Sequence, residues 1–120
     1  MSKRTLVLGA STKSYRYSNM AAHELLRHGN EVVLIGNREG EIENVPIFKT
    51  WPKTLDVHTI TIYLSAKNQI PYYEPILKSG AKRIIFNPGA ENDELASLAV
   101  KEGIKVENAC TLVLLSTEQY

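Results

Sequence analysis

The chain alternates between short apolar runs and longer segments whose apolar residues recur at helical spacing. Four runs are strong: Thr5–Gly9 (TLVLG), Glu31–Gly36 (EVVLIG), Thr59–Leu64 (TITIYL) and Arg83–Phe86 (RIIF). A weaker fifth, Ile104–Glu107, has the alternation of a more exposed strand. The first three are mostly continuous, as strands covered on both faces of a parallel sheet should be.

Helical patterns fill the gaps. Ser18 or Asn19 is expected to cap a helix with Ala21, Ala22, Leu25 and Leu26 on one face, stopped by Gly29. Asn92 is expected to cap another, with Asp93 and Glu94 in its first turn, Leu95, Leu98 and Ala99 inside, and Gly103 at its end. Gln69–Ser79 has Ile70, Tyr73, Ile76 and Leu77 at helical spacing before Gly80. There Pro71 suits a first turn, whereas Pro75 removes a backbone donor and should kink the helix or delay its start. Arg38–Thr54 is read as an excursion with one short extended piece, Val45–Phe48. Strand–helix–strand units with short joints imply right-handed crossovers and a doubly wound parallel α/β sheet.

Composition adds mainly exclusions. A length of 120 residues suits one domain, 1–120, and an apolar fraction of 43% can fill its core. Fourteen basic residues against 13 acidic ones give no reason to expect nucleic acid or an anionic membrane as partner. Cys110 is the single cysteine, so neither an intrachain disulfide nor a multi-cysteine zinc site can form. No apolar run reaches spanning length, and Met1–Arg4 leads straight into the first strand without a secretory pattern. A cytoplasmic location is the expectation. The number of subunits is not written in the pattern.

Candidate chemistry gathers where ligands bind such sheets, beyond the carboxyl ends of the strands. That edge collects Gly9-Ala10-Ser11, Gly36-Asn37-Arg38, Ser65-Ala66 and Asn87-Pro88-Gly89. Gly9 permits a phosphate to approach backbone, and the following helix points its free N–H groups and positive dipole end at the same space. Arg16 can add a bidentate contact, while Ser11, Tyr15, Tyr17 and Ser18 supply hydroxyls. The plainer reading is a tight turn with solvated hydroxyls.

Two absences narrow the ligand. The residues from Gly9 run G-A-S-T-K-S, without the G-x-G-x-x-G of dinucleotide sites, and no acid ends the second strand to hold a ribose hydroxyl. Arg38 stands there instead, suited to the 2′-phosphate of NADP or the 3′-phosphate of coenzyme A. Taken alone, it also reads as a solvated arginine. No G-x-x-x-x-G-K-[ST] run supports a P-loop.

The S-x-x-x-x-R-x-S spacing of Ser11, Arg16 and Ser18 after Gly9-Ala10 resembles the first loop of the small bacterial coenzyme A-binding proteins. These are similar to the N-terminal coenzyme A-binding domain of the succinyl-CoA synthetase α subunit. The resemblance extends through Leu77–Lys82, Asn87–Ala90 and Ala99–Val106, nearly the whole chain. It implies a five-stranded, Rossmann-like, three-layer αβα fold with helices on both faces, and coenzyme A at its switch point. By position, the pyrophosphate would lie against Ser11, Arg16, Tyr17, Ser18 and Asn19, and Arg38 would reach the nucleotide phosphate. Ser65 and Ala66 would flank adenosine or pantetheine, and Asn87-Pro88-Gly89 would border the pantetheine arm.

The chain departs from the family pattern at Ser14, Gly36-Asn37, Asn87-Pro88 and Ala109. In the synthetase a histidine in a second domain carries the reaction, and none of His23, His28 and His58 matches it. His23 and His28 are expected on the solvated side of the first helix, and His58 at a strand boundary. Cys110, at the start of a short final helix, is the one candidate nucleophile, although buried, inert cysteine is common. The expectation is a non-catalytic binding protein for coenzyme A or an acyl-CoA, with no metal. The alternatives are an NADP or other adenine-nucleotide domain, and an interaction scaffold that kept the fold and lost the pocket.

Overall fold

Each apolar run becomes a strand of one central sheet. The computed structural model describes residues 2–120. In chain order it places β1 (Thr5–Leu8), α1 (Tyr17–Arg27), β2 (Val32–Ile35), β3 (Gly40–Ile42), β4 (Val45–Phe48) and β5 (Thr59–Ile62). There follow α2 (Ala66–Gln69), a 3-10 turn (Ile70–Tyr72), α3 (Tyr73–Leu77), β6 (Arg83–Phe86), α4 (Asp93–Lys101), β7 (Lys105–Asn108) and α5 (Thr111–Ser116).

The sheet order is β3-β4-β2-β1-β5-β6-β7, parallel throughout except for β3, which runs antiparallel to β4. The five strands expected are therefore seven, in a mixed sheet. Val45–Phe48 proves to be a sixth parallel strand beside β2, and Gly40–Ile42 a short edge strand. Periodicity missed β3 because it is three residues long and buries only Ile42. Its turn, Glu43-Asn44, also lacks the glycine that usually signals a two-residue hairpin, although both residues take positive φ (49° and 70°).

Strand parity divides the core into two layers. Leu6, Leu8, Ile60, Ile62, Ile84 and Phe86 face α3 and α4, where Ile76, Leu95 and Ala99 meet them. Val7, Val32, Leu34 and Ile47 face α1 and α5 through Ala22, Leu25 and Leu115. The alternation in TITI thus has a meaning: its isoleucines enter the first layer, and its threonines join a polar network under α5. Thr61 Oγ1 lies 2.7 Å from Thr111 Oγ1, and Arg83 Nε donates to Thr59 Oγ1 at 3.1 Å. The Arg83 guanidinium stacks 4.4 Å from the Tyr120 ring centroid.

Helix boundaries follow local chemistry. The Asn92 side chain accepts from Leu95 N at 3.1 Å, as a cap should. Its amide also donates to Gln69 Oε1 and Tyr73 Oη, each at 2.9 Å, tying α4 to the preceding helical segment. Replacing Asn92 with alanine is expected to cost about 1.5 kcal/mol in denaturant unfolding, near the upper end for caps because those donors go too. A loss under about 0.3 kcal/mol would contradict that role.

Two expected helices differ. α1 begins at Tyr17 with Arg16 as its cap residue, so Ser18 and Asn19 lie buried in its first turn instead of capping it. Asn19 spends its amide on the Ser11 carbonyl, 2.9 Å away. The helical segment starts earlier than expected, with α2 at Ala66, and the prolines break the expected Gln69–Ser79 helix into the end of α2, the 3-10 turn and α3. Trp51 and Tyr72 pack against the core, their ring centroids 6.3 Å apart.

Candidate functional site

The chain crosses from one side of β1 to the other between β4 and β5, so the loops after β1 and β5 diverge and leave a crevice at the carboxyl edge. Its floor depends on close backbone contacts. Gly9, at φ +100°, sits against β5: a Cβ there would lie 3.2 Å from Leu64 Cδ2 and 3.3 Å from the Tyr63 carbonyl carbon. Both Gly9 N and Ala10 N donate to the Ile35 carbonyl, at 2.8 and 2.9 Å. These bonds lock the first loop to the end of β2.

The loop then turns on itself. Lys13 N donates to Ser11 Oγ at 3.1 Å, and Arg16 N to the Lys13 carbonyl at 3.0 Å. The Asn19 bond pulls the start of α1 against Ser11. Arg16, extended at φ −79° and ψ 140°, gives no side-chain bond to the first amides of α1. Asn19 N and Met20 N already donate to the Arg16 carbonyl, so this 11-residue helix without a side-chain cap presents the Tyr17 and Ser18 amides, and the positive end of its dipole, to an anion.

The resulting cleft has a volume of about 560 Å³, within the range of small-molecule sites. The first loop lines it with Gly9, Ala10, Ser11, Arg16, Tyr17 and Ser18; Asn37 and Arg38 border it beyond β2. Ser65 and Pro88 close the far side. The cations among the lining residues are Lys13, Arg16 and Arg38, all on the β1–β2 side, and no carboxylate, imidazole or thiol joins them. This end of the cleft suits phosphate groups.

Five residues expected at the site stand elsewhere. Tyr15 is exposed, its ring 5.8 Å beneath the Arg16 guanidinium, and Asn19 is buried behind the loop. Ala66 opens α2, and Gly89 N donates to Glu91 Oε1 at 2.9 Å. Asn87 is buried: its amide donates to Thr61 Oγ1 and the Ile62 carbonyl, and its oxygen accepts from Thr111 N. It holds β5, β6 and α5 together.

Thr12, Lys13, Tyr63, Leu64 and Asn68 also line the cleft and were missed. Thr12 and Lys13 belong to the same G-A-S-T-K-S run, so a wider reading of that loop would have included them. Tyr63 and Leu64 gave no signal beyond strand apolarity, and Asn68 none at all. The Tyr63 hydroxyl is buried without a hydrogen-bond partner of good geometry, and burial pushes its phenol well above the ordinary tyrosine range. It stays neutral and supplies no base.

None of the candidate reactive groups reaches the cleft lining. Cys110, half-buried, is the cap residue of α5. His23 pairs with Glu43, and His28 lies 3.8 Å from Glu24. His58 immediately precedes β5 beside Thr59; burial, with Arg83, Lys3 and Lys82 nearby, lowers its pKa. Among the described residues, no cluster of three or more His, Cys, Asp or Glu could hold a metal, and no helix is long and apolar enough to cross a membrane.

Known structures share this architecture. One crystal structure of an uncharacterized protein is 39% identical over 100% of this chain and 99% of its own, with a TM-score of 0.97. A hypothetical protein from Pyrococcus horikoshii OT3 is 26% identical over 96% of this chain and 82% of its own, with a TM-score of 0.84. The dinucleotide-forming acetyl-coenzyme A synthetase 1 of Ca. Korarchaeum cryptofilum shares the fold at 18% identity, with a TM-score of 0.73; the match covers 89% of this chain and 26% of that one. None of the curated proteins matches. The family model described as a CoA binding domain matches residues 3–116, a stretch that contains every strand and every residue lining the cleft. By that match, the chain belongs to the CoA-binding domain family.

Proposed function

We propose that this protein is a non-catalytic binding module for coenzyme A, held in the carboxyl-edge cleft. The observation that carries the reading is the one-sided charge of that cleft. Lys13, Arg16 and Arg38 stand around an α1 N-terminus without a side-chain cap, opposite a neutral polar wall of Ser65 and Asn68. A ligand with phosphates at one end and an uncharged arm at the other matches that polarity, and family membership names such a ligand. Arg16 and the α1 amides would hold the pyrophosphate, and Arg38 the 3′-phosphate. A binding role without chemistry is supported by the lining itself, whose hydroxyls and Lys13 have no carboxylate, imidazole or thiol among the lining residues to act with them.

Calorimetric titration of nucleotide-free protein with coenzyme A, its 3′-dephosphorylated form, NADP, NAD and ATP tests this. Saturable binding of coenzyme A is expected, weakened about tenfold or more by Arg16→Ala, since a charge-assisted contact contributes about 1.5–3 kcal/mol. The dephosphorylated form should bind more weakly to the parent protein and equally to Arg38→Ala. Preference for NADP would replace this reading by the redox-nucleotide one. No binding of any nucleotide would leave a scaffold whose function lies on its surface.

A further inference from the structure

We infer that the cleft holds coenzyme A by its phosphates and arm and provides no seat for a long acyl chain, so that it does not select thioesters by chain length. The inference rests on the coenzyme A reading and adds how the site treats the acyl group. Orientation comes from charge: the lining cations are confined to the first loop and the tip of β2, so the phosphates belong there. The uncharged arm then runs toward the tips of β5 and β6, where Ser65, Asn68 and Pro88 are exposed and only Tyr63 and Leu64, both packed against the core, add apolar surface to the lining.

Nothing beneath that end can open into an apolar tunnel without dismantling the core. Ile62 and Phe86 are packed there at 0% and 1% exposure. Asn87, between β6 and Pro88, is committed to three internal hydrogen bonds. Outside, the neighbouring surface is polar: Lys67 is exposed, and Glu91 binds the Gly89 N–H. Ile70 is exposed nearby in sequence, but one isolated apolar side chain does not make a groove. A second cavity of about 310 Å³, bordered by Lys3, Asn30 and Tyr120, lies at the opposite edge of the sheet. A chain extending from the thiol would therefore remain in water.

Affinity against chain length tests this. Each methylene that leaves water strengthens binding about fourfold, so burying the roughly six extra methylenes of an octanoyl over an acetyl group would strengthen it more than about a thousandfold. Titrations with coenzyme A, acetyl-CoA and octanoyl-CoA, below micelle-forming concentrations, are expected to agree within about fivefold. A larger difference in either direction, with coenzyme A itself still binding, overturns this inference alone. Failure of all three to bind overturns the coenzyme A reading, and this inference with it.

A charge placed at the arm end provides a second arm of the test. Asn68→Arg should raise the affinity for malonyl-CoA, relative to coenzyme A, by about fivefold through its terminal carboxylate. An unchanged ratio in a folded variant would overturn the orientation.

Discussion

Gly36→Ala is expected to destabilise the protein by about 3 kcal/mol and to abolish measurable coenzyme A binding. The reason is contact, not backbone conformation. A Cβ on Gly36 would lie 2.2 Å from the Ala10 carbonyl oxygen and 3.1 Å from its carbon. Backbone cannot rotate aside as a side-chain tip can. Relief must come from moving the first loop or the tip of β2, and both are bonded in place: Gly9 N and Ala10 N to Ile35 O, Gly36 N to Phe48 O at 2.9 Å. Moving the loop displaces Ser11 and the start of α1 from the cleft. Denaturant midpoints and the coenzyme A titration check the two parts separately. Stability within about 0.5 kcal/mol of the parent would show that the loop shifts freely and that this contact does not shape the site.

Asn87→Leu is the second change expected to cost about 3 kcal/mol, for a different reason. The substitution keeps the branched heavy-atom skeleton, with bulkier methyl ends, and removes three hydrogen bonds at a position 1% exposed. The Ile62 carbonyl retains a backbone bond from Asn87 N, and Thr61 Oγ1 retains its Thr111 partner. Thr111 N, however, loses the oxygen 2.9 Å away and is left at the start of α5 with nothing in its place. An orphaned buried donor costs about 1–3 kcal/mol, and the two lost amide bonds add to it. Hydrogen exchange should show the first turn of α5 opening before the sheet does. If coenzyme A affinity fell in a variant whose α5 remained protected, Asn87 would have to be assigned to the ligand and not to the scaffold.

The two changes also separate what the chain announces from what folding decides. Periodicity was enough for five of the parallel strands, for α1 and α4, and for the Asn92 cap, because each depends on neighbours within a few residues. The first loop was legible as well: the glycine, the hydroxyls and Arg16 all lie within ten residues, and the cleft is built around them. Arg38 was legible only as the residue after a strand; the order of strands, not its own neighbours, brings it to the cleft.

Tertiary structure decided the rest. The edge strand β3 forms because β4 offers it a partner across a turn without glycine, a pairing with no local signature. Tyr63 and Leu64 border the cleft only because β5 lies beside β1, after the chain has travelled through the β3–β4 hairpin. Asn87 could be read from its position at the sheet edge, but not the direction of its side chain. That direction is set by the buried hydroxyl of Thr61 and the free amide of Thr111, which are 50 residues apart in sequence. Local sequence determines which segments are strands, helices and phosphate-ready loops, since those depend on spacing and backbone geometry. Which polar groups face the ligand and which face each other depends on desolvation in the packed core, where a buried donor takes whatever acceptor the fold brings near.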